Sequence, residues 1–269
     1  MKNITAILKL GGSIITYKNK GRPGIKTAFV RKVAKELSQV LKNKSKIRLI
    51  LLYGAGSFAH PLVYKYRLKN QPLKNSSFIH IGEVINSMRE LGTQLARIFA
   101  KEGLPIIPLQ TSSLIQKSGE KSFFKNFSAL ETTLLYQGIP LLGGDIAVGG
   151  SNKVNIISAD EIAVLLSKHF KNSRIFFATD INGVYKNFPP LKKEKPLKFL
   201  NRATLKLLAG RERKKLAVQK YDVTGSMIGK LKNLLSLQNR EVFIFNGQKP
   251  LLIKKALEGE KMEGTTVLL

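Results

Sequence analysis

Apolar positions recur along the chain with two periods. Residues 4–10, ITAILKL, form a short and almost unbroken apolar run that predicts a buried strand, whereas residues 27–42 set Phe29, Val30, Val33, Ala34, Leu37, Val40 and Leu41 on one face of a helix. The run IRLILLY at 47–53 predicts the next strand and ends in Gly54. Further strands are predicted at 104–109, 139–142, 173–179 and 241–246, and helices at 78–102, 128–137, 158–169 and 224–238. Strand and helix in alternation make an α/β protein with a mostly parallel sheet covered on both faces, its ligand groups gathered at the carboxyl ends of strands. The glycines fall at those ends. Residues 186–200, KNFPPLKKEKPLKFL, read instead as a loop, because Pro189, Pro190 and Pro196 break a helix and five lysines favour exposure. This loop marks the passage from an amino-terminal to a carboxyl-terminal lobe.

Composition narrows the picture in two respects. The 269 residues, 43% of them apolar, suffice for a large core and contain no cysteine, which excludes disulfides, thiolate metal sites and cysteine nucleophiles. The opening MKNITAILKLGGS runs almost at once into a strand pattern, without a leader-like segment, and no apolar run has the length of a membrane span, so a cytoplasmic protein is expected. The formal charge of +29 attracts anions of every kind. Lysines lie on nearly every predicted helix, and neither a zinc finger nor an aromatic-bearing nucleic-acid motif is present. A solvated basic surface is therefore the favoured reading, ahead of a nucleic-acid-binding face.

Three groups of residues carry candidate chemistry. Lys9, Gly11, Gly12 and Ser13 end the first strand, with Lys18 following; glycines let a backbone approach phosphate closely and aim N–H groups at it, and Lys adds a compact charge. A glycine pair after a strand serves equally well as a plain turn, and this is not the Walker sequence. The second group is YGAGSFAHP at 53–61, with Ser57 and His60 beyond the small residues. Two such loops at neighbouring strand ends can face one cleft, each holding a phosphate-bearing ligand. His80 and His169 lie in helical patterns and read as structural, and the three histidines have no metal-site spacing. The third group is acidic: Asp145, Asp160, Asp180 and Asp222. Asp commonly caps helices, but Ser158 can cap the helix near Asp160 and leave that carboxylate in the first turn, free to orient lysines. Thr224, Gly225 and Ser226 open the helix that carries Lys230.

In order, KLGGS (9–13), YGAGSFAHP (53–61), GGD (143–145), ISAD (157–160), TDINGVY (179–185) and DVTGSMIGK (222–230) resemble the amino acid kinase family over nearly the whole chain. The His-bearing second loop is similar to that of the isopentenyl phosphate kinases within it, and fosfomycin kinases share much of the set. The resemblance implies a single three-layer α/β/α domain over 1–269, with an acceptor lobe at 1–172, a nucleotide lobe at 173–269 and a homodimer. It implies that Lys9 contacts the transferring phosphate, that Gly11, Gly12 and Ser13 cradle it, and that Lys18 holds the ATP phosphates. Lys230 neutralises charge on the ATP side, and Asp160 holds the lysines. Asp180, Gly183 and Tyr185 border the nucleotide. Gly54, Ala55, Gly56, Gly144 and His60 fall to the acceptor phosphate; Phe78, Ile146 and Ile156 fall to an isoprenoid tail.

Ala55, Ala59 and Ala159 stand where the family commonly has glycine, which bears mainly on the identity of the acceptor. The expected reaction is ATP-dependent phosphorylation of isopentenyl phosphate, with Mg²⁺ carried in by ATP and no dedicated metal site. A phosphate acceptor is already ionised near neutral pH, so no general base is assigned. Two other readings are a kinase of the same fold acting on another phosphate or phosphonate, and an inactive basic nucleic-acid-binding protein.

Overall fold

A computed structural model describes residues 4–17, 23–43, 47–118, 121–147, 150, 152–187, 190–210 and 227–269. Lys18, Asp222 and the Thr224–Gly225–Ser226 helix start lie outside the described residues. In chain order the elements are β1 (Ile4–Leu10), α1 (Gly12–Ile15), α2 (Thr27–Asn43), β2 (Ile47–Tyr53), α3 (Gly56–Lys65), α4 (Ser77–Lys101), β3 (Ile106–Pro108) and α5 (Thr111–Leu114). They continue with β4 (Ile115–Ser118), β5 (Lys121–Phe124), α6 (Ser128–Leu135), β6 (Ile139–Gly143), β7 (Asp145–Ala147), β8 (Asn155–Ile157), α7 (Ala159–His169) and β9 (Ser173–Thr179). The last are β10 (Phe199–Leu200), α8 (Arg202–Ala209), α9 (Met227–Leu234), β11 (Glu241–Asn246), α10 (Leu252–Glu258) and β12 (Thr265–Leu268).

Among the described residues eight strands form one sheet in the order β10-β12-β11-β9-β1-β2-β6-β3. Every pairing is parallel except β11 with β12. The sheet runs unbroken through both expected lobes. β1 lies where the chain order reverses, between β2 and β9, and an open α/β sheet offers its ligand crevice outside the carboxyl ends at such a point.

Alternation along β1 explains the two cores. Ala6, Leu8 and Leu10 pack into a cluster with α2, α3, α4 and α10, while Ile7 packs into a second cluster with α6, α7, α8 and α9. α2 buries Val30, Val33, Ala34, Leu37 and Val40, the face its spacing predicts. The result is the three-layer α/β/α arrangement. Among the described residues no helix is long and apolar enough to cross a membrane.

Several elements depart from the pattern reading. α3 occupies much of the segment read as a glycine loop, with Pro61 inside it. A proline there removes one intrahelical donor, and contacts across to α4 help hold the helix: Ser87 Oγ donates to Phe58 O (2.8 Å). The 186–200 segment is largely irregular, as its prolines require, but its end forms β10. α8, α10, β12 and the small hairpins β4–β5 and β7–β8 are too short for periodicity to reveal.

Candidate active site

Lys9 stands near the carboxyl end of β1 and, sharing the parity of Ile7, faces the layer of α7 and α9. Its register partner on β9 is Phe177. Asp160 comes from the first turn of α7, where Ser158 is the cap: Ser158 Oγ accepts from Glu161 N (3.1 Å). The Asp160 carboxylate is thereby left for other partners. Lys230 projects from α9. The three side chains meet at one atom, since Asp160 Oδ1 lies 3.1 Å from Lys9 Nζ and 2.7 Å from Lys230 Nζ. Lys230 Nζ also sits 4.3 Å from the centroid of the Phe177 ring, whose face attracts a cation.

All three charges are shielded from solvent. Burial by itself pushes the Asp160 carboxyl up, but the ammonium groups of Lys230 and Lys9, by charge and hydrogen bonding, hold it well below the usual carboxylate range. Burial brings Lys230 down to about 8, with Lys9 acting in the same direction and Asp160 opposing. One carboxylate shared by two ammonium groups leaves a net positive charge, which an incoming phosphoryl group can neutralise.

The two glycine loops lie side by side rather than across a cleft from one another. A Cβ on Gly12 would come within 2.6 Å of Gly56 Cα, and one on Gly54 within 2.6 Å of Gly12 N. Gly56 has φ +51°, a conformation that residues bearing a Cβ rarely adopt. Thr16 ties the loops together: its hydroxyl donates to Gly12 O (2.8 Å) and accepts from Ser57 N (3.1 Å). Lys26 Nζ donates to Ser13 O (2.8 Å). Ala55 precedes α3 as its cap residue, and His60, half-buried, lies within α3.

Gly144 packs on the start of α7, where an added Cβ would meet Ile157 O at 3.1 Å and Ala159 N at 3.2 Å. It therefore joins the second-strand loop to the helix of Asp160, and its N–H donates to Tyr53 O (3.2 Å). Ile146 and Ile156 are cross-strand partners on β7 and β8; Ile146 is buried and Ile156 partly so. Phe78, in the first turn of α4, is half exposed. Asp180, Gly183 and Tyr185 follow β9, where Val184 N donates to Thr265 Oγ1 (2.8 Å) and Tyr185 is buried. His80 stacks on Tyr66 at 3.9 Å, while His169 stacks on Phe127 at 3.6 Å and pairs with Glu131 at 2.8 Å. Both have structural partners. No group of three His, Asp or Glu side chains among the described residues could hold a metal ion.

Residues 5–246 match the model of the amino acid kinase family. The chain belongs to that family. It is a phosphotransferase, and the ordered motifs from KLGGS to DVTGSMIGK were sufficient to read the family from sequence. An isopentenyl phosphate kinase of Methanocaldococcus jannaschii is 34% identical over 272 residues, covering 97% of each chain. One of Methanothermobacter thermautotrophicus is 29% identical over 274 residues, covering 97% of this chain and 98% of its own. A solved isopentenyl phosphate kinase shares the fold with a TM-score of 0.81 at 25% identity, over 97% of this chain and 99% of the other.

Sequence reasoning about this kinase overlooked Phe177, Thr16 and Lys26. Phe177 had a signal, since strand parity places it beside Lys9 once the register is known. Thr16 and Lys26 had none, because their partners are backbone groups of the turn after β1 and, for Thr16, the Ser57 amide of the neighbouring loop.

Proposed function

We propose that this kinase transfers the γ-phosphoryl group of ATP to isopentenyl phosphate, giving isopentenyl diphosphate and ADP. The observation that carries the proposal is the sharing of Asp160 Oδ1 by Lys9 and Lys230 at the carboxyl end of β1. Phosphoryl transfer needs alignment and charge neutralisation more than covalent help, and two lysines held at fixed separation supply both. Lys9 would contact the transferring group, with Gly11, Gly12 and Ser13 aiming N–H groups at its oxygens. Lys230 would offset the charge that grows on the ADP side, and Asp160 would hold both cations. The 1–172 segment would bind the acceptor and the 173–269 segment the nucleotide, bordered by Asp180, Gly183 and Tyr185.

On the acceptor side, Gly54, Ala55, Gly56, Gly144 and His60 would hold the phosphate, and Phe78, Ile146 and Ile156 the tail. His60 would hydrogen-bond the acceptor phosphate and keep it in line. No base is needed, because a phosphate monoester is largely dianionic above about pH 6. Magnesium carried in with ATP would supply further neutralisation of phosphate charge, with Lys230 and Lys9 as the protein's own cations. We further propose that the protein acts as a cytoplasmic homodimer, which sedimentation of the purified protein and fractionation of its cells measure directly.

The test is ADP release with Mg²⁺ and ATP in the presence of isopentenyl phosphate, dimethylallyl phosphate, fosfomycin or a nucleoside monophosphate. Strong stimulation by isopentenyl phosphate is expected. Stimulation by another acceptor alone would replace the substrate and keep the kinase. Silence throughout, with salt-sensitive RNA or DNA binding, would favour the nucleic-acid reading.

A further inference from the structure

A second buried polar centre lies beside the lysine site, and the mechanism above leaves it without a part. Asp145 opens β7 directly after Gly143 and Gly144, and it is almost fully buried. Its Oδ2 accepts from Gln110 Nε2 (2.6 Å) and from Ser112 N (3.3 Å), and its Oδ1 accepts from Ile146 N (2.8 Å). Gln110 in turn accepts from Arg89 Nε (2.9 Å) of α4 and donates to Ser112 Oγ (3.1 Å). The same turn grips Gly143, whose carbonyl accepts from Thr111 Oγ1 (2.7 Å). Arg89, Gln110 and Asp145 thus form a chain from α4 to the strand junction. That junction bears Gly144 on one side of Asp145 and Ile146 on the other.

A buried carboxylate is an expensive way to fasten a turn, and no cation among the described residues touches this one directly. Its geometry has a use in what it holds. The carboxylate fixes the orientation of the peptide between Asp145 and Ile146, while strand alternation turns the Ile146 side chain to the opposite face of the hairpin. We propose that Asp145 is a positioning residue of this kinase: through Gln110 and Arg89 it sets the Gly144 backbone and the Ile146 side chain where the acceptor's phosphate and tail are received. The inference rests on the acceptor reading given above. It assigns to Arg89, Gln110 and Asp145 the work of shaping the acceptor end of the site, with the transferring phosphoryl group left to Lys9, Lys230 and Asp160.

Among the described residues the titratable and charged groups around this carboxyl are Tyr53 from β2 and, through Gln110, Arg89 from α4. Burial pushes Asp145 up to about 6, against the hydrogen bonds from Ile146, Ser112 and Gln110, and burial followed by the Asp145 charge keeps the Tyr53 phenol protonated. Below about pH 6 a proton on Asp145 would face the Gln110 amide donor and the chain would have to rearrange. Acceptor binding should weaken there.

The experiment is steady-state kinetics of the full chain, wild type first, across pH 5–8 with the acceptor that it turns over. For Asp145→Asn we expect the acceptor KM to rise about tenfold or more, the ATP KM to stay within about twofold, and the acid limb of acceptor kcat/KM to flatten. The acceptor's own ionisation is common to both proteins and cancels in their ratio. Gln110→Glu combined with Asp145→Asn returns a carboxylate to the chain with Arg89 as its partner, and should recover part of the acceptor KM. Equal rises in both KM values, or an unchanged acceptor KM, overturns the inference. So does an acid limb kept intact by Asp145→Asn. If that variant fails to fold, Arg89→Gln carries the same KM split and the same refutation. An inactive wild type overturns the proposed reaction and this inference together, whereas an active wild type with an indifferent Asp145→Asn overturns the inference alone.

Discussion

Replacing Asp160 by Asn preserves the shape of the side chain and removes the charge that two buried ammonium groups share at 3.1 and 2.7 Å. Removing one partner of a buried ion pair commonly costs about 3–5 kcal/mol, but that range assumes that the stranded charge persists. Lys230 has an escape. Burial already brings it down to about 8, and without the Asp160 carboxylate it falls further, so at pH 7.5 it releases its proton. Relative to a group with a pKa of about 8, full deprotonation at pH 7.5 costs only about 1 kcal/mol, from RT ln(1 + 10^0.5). The stability loss should therefore stay near 1–2 kcal/mol, or about 2–8 °C in Tm for a chain of this size. Catalysis has no such escape. On the proposed mechanism a neutral Lys230 would no longer offset charge on the leaving phosphate, and loss of one such contact lowers kcat about 10²- to 10³-fold, roughly 3–4 kcal/mol. Coupled ADP release at saturating ATP and acceptor, with thermal melts on the same samples, checks both numbers. A variant turning over within about threefold of wild type would refute the charge role of Asp160. A Tm lower by well over about 10 °C would refute the proton-release argument, because it would mean that the charge stayed in place.

The Lys230 value also has a pH consequence. Between about 8 and its unfolded value of 10.5 the unfolded chain binds more protons than the folded one, so the lysine's contribution makes stability rise with pH in that window while kcat/KM for ATP falls above about pH 8. Melts of wild type against Lys230→Met from pH 7 to 10, run beside a kinetic profile, would reveal the opposite slopes; parallel slopes would contradict the assignment. Gly12→Ala places a Cβ within 2.6 Å of Gly56 Cα, backbone that cannot swing aside as a side chain can, and should lose about 1–3 kcal/mol of stability together with most activity. Wild-type kinetics and melting in that variant would deny the close contact. His60→Ala should lower kcat/KM for the acceptor about a hundredfold through lost alignment, and unchanged turnover would remove His60 from the mechanism.

The long periodic segments were legible because a single physical cause, one buried face, fixes them. The α2 spacing from Val30 to Val40 and the apolar run of β1 needed no knowledge of the rest of the molecule. α3 was hidden by composition: small residues and Pro61 argue locally for a loop, and packing against α4 overrides them. β12 was hidden by its length of four residues and is defined by pairing with β11 and β10. In the site, Ser158 and Asp160 could be told apart from sequence, since capping rules separate a residue before a helix from one in its first turn. Asp145 could be noticed but not understood, because its partners Gln110 and Ser112 come from a turn some thirty residues earlier, and Arg89 from another helix.

The contact of Gly12 with Gly54 and Gly56 makes two loops of different duty a single mechanical body. Neither can be rebuilt without moving the other, so on the proposed reading a change of acceptor could not start there without disturbing the phosphate cradle. Anyone redirecting this kinase to a larger or more polar substrate should leave those three glycines untouched. On the proposed reading the tail has a separate seat, the facing Ile146 and Ile156 of one hairpin and the half-exposed Phe78 at the head of α4, where side chains would be exchanged in place of backbone.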